Sequence, residues 1–241
     1  NSSEVFVGTD IKGGVAITYY DTQKMQGPIG TFTHFKELNS ILKKVENHYD
    51  FRSIMEIIYT QSKFDLDKLY EDYPNYKNLI GSNGKDKRLR KPILGRLDIF
   101  SEQETEDSFK ILGRLNNERV YRYIPKKYIA SHENILKYKV LVPAANGSGA
   151  IGEVLSTPLV GTPLVGYTQS FISFGNFDLE VEAENCLKYI KTTFCRTLLG
   201  TLKITQDNNK DTWQNVPLQD FTVNSDIDWT QSVADIDRQL Y

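Results

Sequence analysis

Residues 166–206 read GYTQSFISFGNFDLEVEAENCLKYIKTTFCRTLLGTLKITQ, and they predict one strand that leads directly into the longest amphipathic helix of the chain. Polar and bulky side chains alternate over residues 168–174, in a composition that favours β structure. Gly175 and Asn176 predict the end of this strand, and Asp178 is the predicted N-terminal cap of the helix. The rest of the chain is expected to be organised around this strand–helix unit.

Two side-chain rows run along the predicted helix. The apolar row recurs at spacings of three and four residues, which is typical of a helix face that packs on a core. Its members are Ala183, Leu187, Ile190, Phe194 and Leu198. Opposite it, Lys188, Thr192 and Arg196 follow one another at spacings of four and are predicted to share one polar face. That face is either a solvated surface or a row of contacts to a phosphate backbone.

Composition describes a globular chain of one large domain or two small ones. The 241 residues are 39% hydrophobic and 25% charged, and the net charge is −2. This balance argues against a histone-like binder of nucleic acid, but it does not exclude a locally basic surface.

The cysteines and histidines predict neither a disulfide nor a metal site. Cys186 and Cys195 lie nine residues apart on the predicted helix, which places them more than about 12 Å apart along its axis. They therefore should not pair, which favours a reducing, cytoplasmic setting. His34, His48 and His132 have no Cys or carboxylate at ligand spacing. No apolar run reaches membrane-spanning length and we expect no signal peptide, so no membrane partner is predicted.

The remaining pattern predicts an α+β fold, a mixed sheet and hairpins packed with several helices. A β-rich run covers residues 11–21, and helices are expected from Thr33, over about 51–59 and over about 65–71. Further along the chain we expect four more elements, which are a β-hairpin over 108–123 with its turn at Asn116-Asn117, a short helix within 125–137, a buried strand over 139–142 and a terminal helix over 228–240.

A dense basic cluster covers residues 85–91, between Gly84 and Pro92. Six of these seven residues are charged and five are positive. Clustered cations on a loop supply sequence-independent affinity for a nucleic-acid backbone. A solvated, mobile loop is the alternative interpretation.

A glycine-rich run over residues 140–152 matches the dinucleotide-binding pattern G-x-G-x-x-G at Gly147, Gly149 and Gly152. That fold needs a helix to begin in the loop, and the following residues up to Pro158 cannot form one. We therefore reject a bound cofactor. A flexible loop between two strands is expected instead, and its backbone N–H groups could meet a phosphate.

The same run also resembles the S-adenosylmethionine motif Asp-Pro-Ala-x-Gly-Ser-Gly of methyltransferases. Here Val142 replaces the acidic residue and Asn146 precedes the glycine, and the chain contains no Asn-Pro-Pro-Tyr motif for a target base. The motif is therefore not taken as a cofactor site.

Short segments spread over the chain resemble the C-terminal part of adenine-specific DNA methyltransferases from type II restriction–modification systems. In order, these segments are Thr9–Val15, Tyr138–Pro143 with its Gly-Ser-Gly loop, Thr168–Phe171, Glu182–Asn185, Tyr189–Thr192, Val216–Phe221, Asp226–Trp229 and Ile236–Tyr241. None of them is a catalytic signature.

The resemblance implies that residues 1–30 are the tail end, the final strands, of a catalytic domain. Residues 31–241 would then form a DNA target-recognition domain, with a helical layer over about 31–80 and an α/β part over about 92–241. It implies no catalytic residue and no cofactor in this chain, while S-adenosylmethionine would belong to an upstream methyltransferase domain of the same polypeptide. That parent protein would methylate adenine and could also cleave. The partner implied is double-stranded DNA, and the strand–helix unit would serve as scaffold.

Candidate DNA contacts follow from charge and position. The predicted backbone contacts are Lys85, Lys87, Arg88, Arg90 and Lys91, with Lys126 and Lys127 as a second patch. The predicted base-reading residues are Arg96, Arg114, Arg119 and Arg122, because arginine binds guanine with two hydrogen bonds. For each arginine, a surface or intramolecular ion pair is the alternative.

Two other functions stay open. One is a protein-interaction or specificity scaffold of the full-length enzyme. The other is a metal-dependent nuclease, for which the nearest carboxylate pairs are Asp65/Asp67 and Asp226/Asp228. Neither pair has the converging spacing with a lysine that metal-assisted hydrolysis usually needs.

Overall fold

The computed structural model describes residues 5–8, 15–25, 27–28 and 30–240. Six right-handed α-helices are described: α1 Lys36–Glu46, α2 Leu66–Asp72, α3 Ile93–Arg96, α4 Glu180–Lys191, α5 Thr193–Leu199 and α6 Val233–Gln239. Short 3-10 turns and a left-handed turn over Gly81–Gly84 also occur and are not numbered. The strands are β1 Ile58–Tyr59, β2 Ser108–Leu115, β3 Glu118–Pro125, β4 Tyr138–Pro143, β5 Leu159–Gly161, β6 Val165–Tyr167 and β7 Phe171–Phe177. The predicted α+β class is confirmed.

The strands form two sheets. The first has the order β1-β7-β4-β5 and is antiparallel throughout. The second has the order β3-β2-β6, in which β2 and β3 form the predicted hairpin and β6 lies parallel to β2. A mixed sheet therefore carries the hairpin.

The stretch 166–206 crosses from one sheet to the other. β6 ends at Tyr167 in the second sheet, and β7 begins at Phe171 in the first. The predicted strand end at Gly175 is wrong, because β7 continues to Phe177. Between Phe174 and Phe177 the pairing advances three residues on β7 but two on β4, and Gly175 has φ +77°. Glycine adopts that conformation without strain, so it forms a β-bulge.

The predicted long helix is two helices that meet at Thr192. The Thr192 backbone is extended there, and its hydroxyl accepts from the Cys195 N–H and donates to the Tyr189 carbonyl. A threonine hydroxyl that bonds to backbone groups competes with the helical ladder. Because Thr192 is fully buried, the predicted polar face does not form, and Lys188 and Arg196 donate to carbonyls of other segments.

The helix start was also predicted wrongly. α4 begins at Glu180, and the Leu179 N–H donates to the Glu182 carboxylate. The Asp178 carboxylate binds the Lys137 ammonium instead of capping the helix. Sequence spacing alone could not anticipate that ion pair, because Lys137 is 41 residues away.

Other expected elements are shorter or different. The described part of the first β-rich run, residues 15–21, forms no strand, and residues 11–14 lie outside the described residues. The helix expected over 51–59 is a 3-10 turn followed by β1, because Ile58 and Tyr59 pair with β7. The helix expected within 125–137 is a single 3-10 turn, Lys126–Tyr128. The terminal helix begins later than expected, at Val233 after a Ser232 cap.

Two main cores lie against the two sheets. The first packs α1, α4, α5 and α6 on the first sheet, and it contains the whole predicted apolar row of the strand–helix unit. The second lies under the hairpin, with α2 and α3. A small cluster that includes Leu112, Leu141 and Tyr167 joins the sheets.

A buried lysine also ties the two sheets together. Lys139 of β4 is fully buried, and its Nζ donates to the carbonyls of Val165 (2.8 Å), Thr162 (3.4 Å) and Ile135 (3.5 Å). Burial lowers the pKa of Lys139 to about 7, since desolvation disfavours the charged form. This side chain therefore acts as a structural tie between β4 and the segment that leads into β6.

Candidate functional site

The basic segment, Lys85–Lys91, is held along its backbone and is not a free loop. The Phe64 N–H donates to the Lys87 carbonyl (2.7 Å), and the Leu89 N–H donates to the Ser62 carbonyl (3.0 Å). From the other side the Gln169 N–H donates to the Leu89 carbonyl (2.8 Å), and the Leu89 side chain is 0% exposed. The centre of the segment is therefore anchored to its neighbours by backbone hydrogen bonds, and all five cations are exposed.

Asp86 neutralises part of this charge. Its carboxylate, with 4% of the side chain exposed, accepts from Arg88 Nε (2.8 Å) and Nη2 (3.1 Å) and from Arg90 Nε (2.5 Å). These hydrogen bonds hold the pKa of the Asp86 carboxyl well below its usual range. Two of the five predicted backbone contacts thus have an internal ion pair, while no ion pair with a described residue is seen for Lys85, Lys87 or Lys91.

The end of the basic segment meets the hairpin turn at an open groove of about 420 Å³, which we call the hairpin groove. The residues that line it come from the basic segment, the hairpin, the end of β4 and the β6–β7 connection. They are Lys91, Pro92, Arg114, Leu115, Asn116, Asn117, Ala145 and Ser170. The fold therefore joins segments that are far apart in sequence.

The hairpin turn has a defined backbone geometry. Asn116 and Asn117 have φ values of +49° and +64°, which is the conformation of a type I′ turn. Arg114 Nη2 donates to the Asn117 carbonyl (2.6 Å) and fixes the turn on the side of the groove. Asparagine tolerates positive φ better than most residues, which explains the pair at this position.

Ser170 contributes an unsatisfied polar atom to the hairpin groove. Its side chain is 5% exposed, and its Oγ has no hydrogen-bond partner in the described part of the chain. Buried hydroxyls normally find a partner, so Ser170 Oγ is an unsatisfied polar atom beneath the lining of the groove.

A second concavity lies on the other side of Pro92, which lines both. We call it the arginine depression. Its volume is about 320 Å³, and its lining residues are Leu79, Ile80, Gly81, Asp86, Arg88, Arg90, Pro92, Ile93 and Arg96. Arg96 donates from Nη1 to the Leu79 carbonyl (3.3 Å). Arg96 therefore joins the basic segment, as a neighbour of Arg88 and Arg90.

The other predicted contacts do not join this surface equally. Arg119 lies across the hairpin from Arg114, where it donates to the Thr157 carbonyl (2.7 Å) and lies over the Phe171 ring. Burial lowers the pKa of Arg119. Arg122 is paired with Glu102 (2.7 Å) and is 19% exposed, so it is the least available of the predicted arginines.

Lys126 and Lys127 lie at the opposite end of the hairpin from the turn. Lys126 donates to the Glu106 carbonyl (3.0 Å), and Lys127 forms an ion pair with Asp72 (2.6 Å). The hairpin strands have eight residues each, so at about 3.3 Å per residue these lysines lie more than about 20 Å from Asn116. The second patch is therefore separate from the hairpin groove.

The glycine-rich loop after β4, residues 144–152, which we call the glycine loop, has its own internal anion. The Glu153 carboxylate accepts from the N–H groups of Ser148 (2.7 Å) and Gly149 (3.1 Å), and Lys203 Nζ lies 3.5 Å away. These contacts lower the pKa of Glu153. The N–H groups that were expected to meet a phosphate are therefore occupied. No helix begins between the loop and β5, which is fully described.

Three residues of this surface were not predicted from the sequence. Lys63, which is exposed, pairs across the backbone with Arg88 and extends the positive surface. Ser170 and Asp86 were not singled out either. The alternation of Asp86, Arg88 and Arg90 in an extended segment is a signal that could have revealed the ion pairs.

One carboxylate of each pair considered for a nuclease serves local structure. Asp65 caps α2 through the Lys68 N–H, and Asp228 accepts from Thr230 and Gln231. Within the described residues, no group of three or more His, Cys, Asp or Glu side chains is placed to hold a metal ion. Cys186 and Cys195 are both buried and free. Among the described helices, none combines the length and apolar character needed to cross a membrane.

No protein-family model matches the chain, and no curated protein matches it.

Proposed function

We propose that this chain binds duplex DNA and selects its sequence, as the target-recognition part of an adenine-specific DNA methyltransferase. The observation that carries the proposal is the hairpin groove, where Lys91 at the end of the basic segment meets the hairpin turn that bears Arg114, Asn116 and Asn117. Selection of a DNA sequence needs cations that position the backbone and side chains that read base edges, and this surface offers both kinds side by side.

The division of work follows from exposure and partners. Lys85, Lys87 and Lys91 contact phosphates, since they are exposed and are not paired with a carboxylate in the described structure. A two-stranded ribbon fits the major groove, where asparagine reads adenine and arginine reads guanine. The hairpin turn is therefore the base-reading element. In this proposal an upstream methyltransferase domain of the same polypeptide binds both S-adenosylmethionine and the extruded adenine. This chain itself binds no cofactor. The whole protein acts in the cytoplasm.

The salt dependence of duplex binding tests the proposal. Replacement of Lys85, Lys87 and Lys91 together by Ala should weaken binding at every salt concentration and should reduce the slope of log K against log salt by up to about 2.7, or 0.9 per lost phosphate contact. A charge-matched control replaces Lys36, Lys43 and Lys44, which are exposed on α1. The proposal fails if the two triple variants bind a random duplex library equally well.

A second candidate, a protein-interaction scaffold, is favoured by an apolar groove of about 750 Å³ beside α1, α5 and α6. Ile41, Val45, Leu218 and Leu240 are among the residues that line it. If the isolated chain selects no sequence from a random duplex library, and binding appears only when the chain is joined to its upstream domain, the scaffold function is favoured.

A further inference from the structure

The arginine depression has the chemistry of an oxyanion site. Three guanidinium groups, from Arg88, Arg90 and Arg96, line one concavity of about 320 Å³. Guanidinium groups bind phosphate through parallel N–H···O bonds, and they are less strongly hydrated than lysine ammonium groups. A concave site surrounds one phosphate from several sides, which scattered surface lysines do not.

Asp86 orients two of these arginines and leaves donors free. Arg88 uses two N–H groups on the Asp86 carboxylate and Arg90 uses one, while Arg96 uses one on the Leu79 carbonyl. A guanidinium has five N–H donors, so each arginine keeps at least three for a ligand. Because these long side chains are already ordered before binding, less conformational entropy is lost when a ligand binds.

The charge of the depression suits a phosphate. Asp86 is the one carboxylate among the residues that line it, all of which are described, against three guanidinium groups. A surplus of positive charge therefore remains after the internal ion pairs are counted. The Asp86 carboxylate lies beneath this surface with 4% of its side chain exposed, so a ligand meets the arginines first.

We infer that the arginine depression is a preorganised phosphate site in which Asp86 is the positioning residue. In so far as the phosphate belongs to a DNA backbone, this inference rests on the proposed function. The depression adjoins the hairpin groove at Pro92, so a duplex whose bases meet Asn116 and Asn117 presents a flanking phosphate to the arginines.

The role of Asp86 as a positioning residue predicts a change in DNA affinity opposite to the change that net charge alone would cause. Removal of a negative charge from a basic surface should strengthen DNA binding if only the overall field matters. We expect Asp86→Asn to weaken binding of a fluorescein-labelled duplex about tenfold at 0.1 M salt, because the freed arginines must be ordered again on binding. Asp72→Asn, which removes the same charge beside Lys127, is the matched control and should bind as tightly as the wild type or more tightly.

One further variant and an unfolding measurement keep the test independent of folding. Arg96→Lys retains the charge and leaves Asp86 untouched, and we expect several-fold weaker binding with an unchanged salt slope because the planar fork is lost. Thermal unfolding of each variant identifies any loss of structure. The inference is overturned if Asp86→Asn binds as tightly as Asp72→Asn, or if folded Arg96→Lys binds like the wild type.

A titration with inorganic phosphate distinguishes a site for free phosphate from a site for the DNA backbone. A parallel titration with sodium chloride of equal ionic strength is the control. NMR signals of the arginine side-chain Nε–H groups of the full chain report binding at each residue. Phosphate-specific shifts at Arg88, Arg90 and Arg96 without any duplex binding would support a phosphate site in the arginine depression and contradict the proposed DNA-binding function. Duplex binding without shifts at these three arginines would overturn the site and leave the proposed function standing.

Discussion

The basic segment and the glycine loop both place a carboxylate beneath backbone and side-chain donors, with opposite results. Asp86 binds two arginines and leaves most of their donors free at the surface. Glu153 takes up the N–H groups of Ser148 and Gly149, which are the donors that a phosphate would have used. An internal carboxylate therefore organises a site when the donors outnumber it, and it fills a site when they do not.

The largest expected effect concerns how firmly the basic segment is anchored. Leu89 is 0% exposed at its centre, so Leu89→Ala should lower the free energy of unfolding by about 3 kcal/mol through lost burial and the remaining cavity. Urea unfolding measures this loss. Leu79→Ala, at a 40% exposed position of the arginine depression, should change stability far less. Similar small losses in both variants would mean that the segment is a loose loop after all.

On the glycine loop, backbone conformation should have the next largest effect. Gly149 has φ +93°, and an added Cβ would lie 2.6 Å from the Ile204 carbonyl carbon, so Gly149→Ala should cost about 2 kcal/mol. Gly152 also has positive φ, at +75°, but a Cβ there meets nothing closer than 3.8 Å. Gly152→Ala should therefore cost less in the same unfolding experiment. Equal losses would show that φ alone decides both positions.

Acid should reduce the stabilisation of the fold that Asp86 and Glu153 each provide. The folded-state pKa of Asp86 and that of Glu153 are both lowered, so each stabilises the fold above the unfolded pKa of about 4, and this stability is lost as the pH falls below it. We expect ionised Asp86 to contribute about 1–2 kcal/mol to the free energy of unfolding. This is less than a fully buried ion pair would contribute, because the side chains of Arg88 and Arg90 are about half exposed.

Unfolding of Asp86→Asn at pH 7 and at pH 3 tests this linkage. The variant should be less stable than the wild type at pH 7, and the difference should shrink at pH 3. A constant difference at both values would assign the loss to packing, not to charge.

The smallest expected effect is a new anion response in the glycine loop. Glu153→Ala frees the N–H groups of Ser148 and Gly149 beside Lys203, and inorganic phosphate at millimolar concentration should then shift both amide NMR signals. In the wild type the same titration should leave both signals in place. Identical shifts in the two proteins would show that Glu153 does not occupy the loop.

Local chemistry determined much of this fold from the sequence. The turn at Asn116-Asn117, the Asp65 cap of α2 and the apolar row of the strand–helix unit each depend on residues within a few positions of one another. The break of the predicted long helix at Thr192 is also local, because the Thr192 hydroxyl bonds to the Tyr189 and Cys195 backbone, but other failures depend on residues far away in sequence. Asp178 lies one residue before the N-cap and binds Lys137, and the helix expected over 51–59 became a 3-10 turn and β1 because Ile58 and Tyr59 pair with β7.

For the candidate site, the sequence by itself determined which cations cluster, but not which of them remain available. The basic segment was visible as charge, and the importance of Asp86 depended on a geometry in which two arginines extend toward one buried carboxylate. Only the tertiary structure placed Lys91 and Ser170 in one groove with the hairpin turn and removed Lys126 and Lys127 from it. Composition and spacing record which groups the chain carries, while packing decides which of those groups satisfy one another and which remain for a partner.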